Sequence, residues 1–118
     1  MEDRRKSFGR RGEELAAAFL QTKGFRIIGQ NWSTRLGEID LIAERDGEVR
    51  FVEVKTRRSH AYGYPEESVT PEKLSHLRRA IELWLRTART IPRAYQIDVI
   101  AISLTSETPQ IEWFEGVS

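Results

Sequence analysis

The chain has 118 residues, 39% of them hydrophobic and 31% charged, with a formal net charge of +1 and no cysteine. This balance fits one soluble globular domain over residues 1–118 and excludes a disordered-tail composition or room for two independent cores. Without cysteine there are no disulfides, thiolate zinc sites or cysteine nucleophiles, and with only His60 and His76 as imidazoles any metal is expected on oxygen ligands.

No apolar run approaches the roughly 20 residues of a membrane span, and the charged start at residues 1–6 lacks the apolar stretch of a signal peptide. A cytoplasmic location without membrane attachment is therefore expected. The small net charge hides an uneven distribution. Residues 1–93 carry all 19 Lys and Arg against 14 acidic side chains, whereas residues 94–118 carry 4 acidic side chains and no basic ones. A basic body suits a phosphate backbone, although the same charges also serve solubility.

Along the chain, residues 1–9 read as charged and flexible. Gly12, Leu15, Ala16, Phe19 and Leu20 then recur at helical spacing up to a Lys23-Gly24 stop. Residues 25–32, 36–44 and 49–55 read as strands, the last two joined by Asp46-Gly47, a strong two-residue hairpin signal. A long loop containing Gly63 and Pro65 leads to Thr70-Pro71-Glu72, which marks a helix start. Leu74, Leu77, Ile81, Trp84, Leu85 and Ala88 form one stripe of that helix, which is expected to run to about residue 89. Residues 94–104 are a further strand, and residues 111–114 suit a short extra one after Pro109. The expected class is α/β, in the order αβββαβ with that extra strand: one mixed sheet flanked by helices.

A two-residue turn at Asp46-Gly47 opposes Arg45 to Glu48, so that opposed residues have numbers summing to 93. Asp40 then faces Glu53 and Glu38 faces Lys55. Because alternate residues of a strand share a face, Asp40, Glu53 and Lys55 are expected in one patch. A three-residue turn would shift the register by one and separate them. Two converging carboxylates repel unless a cation lies between them, and two carboxylates with positions left for water and phosphate suit Mg²⁺. The competing reading is an exposed cross-strand salt-bridge ladder. On the first helix, steps of 100° put Glu13 ~90° from the centre of the apolar stripe and Glu14 ~170° away. Glu13 therefore borders the buried face and is positioned to reach the patch, although an acid early in a helix also simply favours the dipole.

These residues carry a resemblance. Gly37-Glu38-Ile39-Asp40-Leu41-Ile42-Ala43 followed by Phe51-Val52-Glu53-Val54-Lys55-Thr56-Arg57 resembles the PD-(D/E)XK nuclease signature in the form found in the YraN-like bacterial family. The likeness extends from Gly12-Glu13-Glu14-Leu15-Ala16 through Gly24-Phe25 and Asn31-Trp32 to Gly63, Lys73 and Asp98. It implies a restriction-endonuclease-like fold similar to Holliday-junction resolvases, and a Mg²⁺- or Mn²⁺-dependent endonuclease acting on branched or structured DNA as a homodimer. Carried onto matching positions, it implies catalytic Glu13, Asp40, Glu53 and Lys55, with Asp40, Glu53 and Glu13 as metal ligands. The alternative is a nucleic-acid-binding module that keeps the scaffold without catalysis.

Three positions depart from the family pattern. Ile39 stands where the signature has proline, Gln96-Ile97 replaces Arg-Phe before Asp98 with Arg93 as a possible substitute, and Gly116-Val117 replaces an Ala-Phe ending. Arg57, Arg58, Lys73 and Arg78 are expected phosphate contacts, or else a solvated basic face. Tyr62 and Tyr64 are loop residues that suit base stacking or ordinary packing. Trp84 is expected in the core or a dimer interface, Trp113 and Phe114 over a sheet edge or a partner subunit, and His60 and His76 read as incidental.

Overall fold

The computed structural model describes residues 4–58 and 69–117. Five strands and two helices follow in the order α1 (Arg4–Thr22), β1 (Arg26–Ser33), β2 (Glu38–Arg45), β3 (Glu48–Arg57), α2 (Pro71–Thr87), β4 (Ala94–Ser103) and β5 (Gln110–Phe114). They form one sheet in which each strand lies beside its sequence neighbours. β3 and β4 run parallel and the other three pairs antiparallel, so among the described residues the one crossover is that carried by α2. The expected mixed α/β architecture is observed, with the extra strand present. No helix among the described residues is long and apolar enough to cross a membrane.

Each helix covers one face of the sheet. Ala16, Ala17 and Leu20 of α1 pack with Leu41, Ala43, Val52, Ile100 and Ile102. Leu77, Ala80 and Ile81 of α2 pack with Ile42, Val49, Phe51 and Ile97. Adjacent strand residues such as Phe51 and Val52 thus go to opposite cores, as the pleat requires. Trp84 packs edge to face on Phe51 at 5.4 Å between ring centroids. Trp113 meets Phe19 and Phe25 in the same way, so it seals the α1 side of the sheet.

The element ends follow from local chemistry. α1 begins at Arg4 rather than near residue 10, because Arg and Lys are good helix formers and extend the first turns. It stops at Gly24, whose φ of +88° costs little without a Cβ. Phe25 N donates to Leu20 O and Gly24 N to Gln21 O, the paired bonds of a Schellman cap. α2 starts where Thr70 accepts a hydrogen bond from Lys73 N with Pro71 in the first turn, an arrangement worth about 1 kcal/mol.

Candidate metal and phosphate site

The β2–β3 hairpin sets the site's register. Asp46 and Gly47 both take positive φ, +53° and +80°, as a two-residue hairpin turn of matching twist requires. Arg45 pairs with Glu48, and the same register runs to Leu41 opposite Val52. The expected pairs Asp40–Glu53 and Glu38–Lys55 are not part of this ladder, which stops one residue short of the first and three short of the second. Instead the Asp40 Oδ2 accepts a hydrogen bond from Val54 N at 2.9 Å. A side-chain oxygen thus satisfies the donor that a strand neighbour would have taken.

The register of β1 with β2 places Asn31 across from Asp40, and Asn31 has a φ of +48°. Asn is among the few residues that tolerate this region. Strict alternation also fails at Asp40, because Ile39 joins the core under α2 while Leu41 joins the core under α1. Asp40 is therefore the residue at which β2 changes phase and separates from β3.

Asp40 is largely buried among acids. Burial first, then the neighbouring Glu53, Glu13 and Glu38 carboxylates, push its pKa up to about 7, against the opposing hydrogen bond from Val54. Glu53 and Lys55, on the same face of β3, form an ion pair of 3.0 Å with each side chain about a quarter exposed. Glu13 comes from α1, which lies unusually close to β3: a Cβ on Gly12 would collide with the Thr56 side chain. A glycine at that position lets the helix settle onto the strand and brings the next residue toward Asp40. Glu13 is half-buried and Glu14 exposed, in line with their places on the helical wheel. The four expected catalytic residues thus come together at the point where β2 and β3 part.

Whether this donor set suits a divalent cation is decided by its charge. An aspartate held near neutrality only by burial and negative neighbours gains most when a cation displaces its proton. Among the described residues, no three His, Cys, Asp or Glu side chains close into a ready-made metal cage. Mg²⁺ commonly needs only one or two carboxylates and fills its shell with water and phosphate oxygens. Asp40 and Glu53, with Glu13 nearby, fit that ion type and not a closed structural site.

The expected phosphate contacts are dispersed. Arg57 ends β3 two residues beyond Lys55, and the Arg58 guanidinium lies over the Phe8 ring at 4.5 Å. Lys73 is exposed on α2 and borders a cleft that Glu38 and Glu53 also line. Arg78 belongs to a separate depression with Tyr95 and Gln96. Arg93 cannot stand in for the missing arginine before Asp98, since it binds Asp46 O and Glu48 at the hairpin end of the sheet. Gln96 donates to Asp98 itself at 2.8 Å, and Val117 N donates to Ile97 O at 2.8 Å, so both departing segments serve local packing. Tyr62, Tyr64, His60 and Gly63 lie outside the described residues. His76, which sequence spacing made incidental, borders the same cleft as Glu53. Nothing in the spacing of residues 53 and 76 signals this, because the α2 crossover brings them together.

Fold and site together define a mixed α/β protein whose sheet opens around an acidic, cation-suited cluster. A model of the uncharacterised protein family UPF0102 matches residues 12–102, and the chain belongs to that family. It is 44% identical over 110 residues to a UPF0102 protein of Leifsonia xyli subsp. xyli, covering 92% of this chain and 93% of that one. It is 47% identical over 91 residues to one of Syntrophomonas wolfei, covering 77% and 79%. A third, from Herpetosiphon aurantiacus, is 42% identical over 122 residues, covering 100% and 98%.

Proposed function

We propose that this protein is a divalent-metal-dependent endonuclease of the PD-(D/E)XK kind, hydrolysing phosphodiester bonds in branched or structured DNA. The observation that carries the reading is Asp40: a largely buried carboxylate pushed up to about 7 beside Glu53, with Lys55 within 3.0 Å of that same Glu53. Carboxylates crowded at such cost are characteristic of sites that work on charge. Asp40 and Glu53 would hold Mg²⁺ or Mn²⁺, with Glu13 as a further acidic group on the α1 side. When bound, the cation supplies Lewis acidity and neutralises phosphate charge. Lys55 orients the attacking water and steadies the negative charge that grows on the phosphate. Glu13 accepts a hydrogen bond from that water. Arg57 and Arg58, following Lys55, would contact backbone phosphates beside the cut. Cutting two strands symmetrically calls for a homodimer.

A second reading, a nucleic-acid-binding module without catalysis, is favoured by the exposed Lys73 bordering the same cleft, which could hold a phosphate without any metal. That reading expects salt-sensitive binding and no cleavage. Cleavage of end-labelled linear, flapped and four-way-junction DNA in Mg²⁺, Mn²⁺ or EDTA separates the two. The nuclease reading expects metal-dependent cutting that falls at least about 100-fold in Asp40→Asn, Glu53→Gln and Lys55→Ala. Binding without cutting by the wild type, or equal cutting by the variants, removes it.

A further inference from the structure

Glu53 has two surroundings. On one side it meets Asp40 and Lys55. On the other it lines a cleft of about 160 Å³ between the start of β2 and the first turns of α2, bordered also by Glu38, Val69, Lys73, His76 and Leu77. The walls are held in place. Gly37 N and Leu36 N both donate to the Thr34 Oγ1, which pins the chain entering β2. A Cβ on Gly37 would lie 3.3 Å from His76 O, so this segment packs directly against α2. Leu77 anchors the helix wall in the core.

The cleft is polarised. Its sheet wall carries the Glu38 and Glu53 carboxylates. Its helix wall carries Lys73 and His76, three residues apart and so on one side of α2. Both are exposed, and among the described residues neither side chain has a hydrogen-bond or ion-pair partner. Most other cations near the sheet are committed: Lys55 to Glu53, Arg50 to Asp98 and Glu115, Arg93 to Glu48 and Arg26 to Glu44. Lys73 and His76 are thus free donors facing an opening whose inner wall belongs to the proposed metal site.

We infer that this cleft seats the sugar-phosphate unit next to the cleaved phosphodiester, with its phosphate on Lys73 and His76. The inference rests on the nuclease reading for the identity of the neighbouring site. A cleft of this volume, well below the several hundred Å³ of a typical small-molecule pocket, suits a unit as small as a phosphate and its sugar. Val69 and Leu77 supply apolar surface for the sugar. Glu38 and Glu53 repel the phosphate from the sheet wall, so it is confined to the helix wall. His76 is then a binding residue, and Lys73 contributes one neutralised phosphate charge.

The test is equilibrium binding of a fluorescein-labelled four-way DNA junction in Ca²⁺ by the wild type, Lys73→Ala, His76→Ala, and the donor-retaining Lys73→Arg and His76→Gln. Each alanine variant is expected to bind about tenfold more weakly, as for loss of a charge-assisted hydrogen bond. The arginine and glutamine variants should recover most of that loss. Lys73→Ala should also flatten the slope of log affinity against log salt by about one. Thermal melts of these exposed-site variants should match the wild type. Unchanged affinity and salt slope in both alanine variants, or no junction binding by the wild type, overturns the assignment. Binding lost in the alanine variants of a protein that cuts nothing in Mg²⁺ or Mn²⁺ would retain the phosphate cleft and reject the nuclease reading.

Discussion

Two aspartates sit in the same sheet and meet opposite surroundings. Asp98 on β4 is fully buried and fully provided for. Its Oδ2 accepts from Arg50 Nη1 at 2.9 Å and Trp113 Nε1 at 3.0 Å, and its Oδ1 from Gln96 Nε2 and Gly116 N, both at 2.8 Å. Asp40 on β2 has one backbone donor, Val54 N, and three carboxylates nearby. Burial alone therefore does not mark a working residue. The mark is burial without compensation: Asp98 ties β3, β4, β5 and the C-terminal segment together, whereas Asp40 retains an unmet demand for positive charge.

The harshest way to break the comparison is to remove the satisfied member. Asp98→Ala strands four donors and leaves Arg50 with Glu115 alone. It is expected to cost about 3–5 kcal/mol, read as a large drop in the urea midpoint.

Asp40→Asn should do the reverse where the carboxylate is charged. Its folded-state pKa of about 7 lies above the unfolded value of 3.8. Below pH 3.8 both states are protonated and the mutation changes little. As pH rises from there to about 7 the unfolded chain gives up its proton first, so the wild type loses stability relative to the variant. Above 7 the difference levels off, at no more than about 4 kcal/mol. The Asn side-chain oxygen can still accept from Val54 N. Melts in EDTA at pH 4, 6 and 8 should show a stability advantage of Asp40→Asn that grows with pH. A wild type as stable as the variant at pH 8 would mean that Asp40 is compensated after all.

A milder change separates the two neighbourhoods. Gly12→Ala drives a methyl group into Thr56 and pushes α1 from β3, which should cost about 1–3 kcal/mol and move Glu13 away from Asp40. Combined with Thr56→Ala, most of the stability loss should return. The smallest effect is expected at Glu115, half-exposed at the edge of the Asp98 network. Glu115→Gln should change stability by under about 1 kcal/mol, because Asp98 still holds Arg50.

Much of this was legible in the sequence because it rests on local chemistry. Asp46-Gly47 defines the hairpin turn, the turn defines the register, and the register brings residues 40 and 53 near each other. Thr70-Pro71 and Gly24 mark helix ends in the same local way. The features that depend on distant segments were not legible. That the ladder stops before Asp40 goes with the Asp40 side chain taking the Val54 amide, a contact no spacing signals. Of the four donors to Asp98 only Gln96 is local; the others come from β3, β5 and the C-terminal segment, so no spacing reveals its role. His76 faces Glu53 only because the crossover helix lands beside the start of β2. The residue-by-residue resemblance identified Glu13 as a member of the cluster, and the close seat of Gly12 on Thr56 supplies its physical reason.

The most direct measurement is Mn²⁺ binding by titration calorimetry to the wild type, Asp40→Asn and Glu53→Gln, with Asp98→Asn as the comparison. The expected result is one site per chain in the wild type, lost in the first two variants and kept in any Asp98→Asn protein that remains folded. Absence of binding by the wild type, or equal binding by Asp40→Asn, would contradict the assignment of Asp40 and Glu53 to a metal.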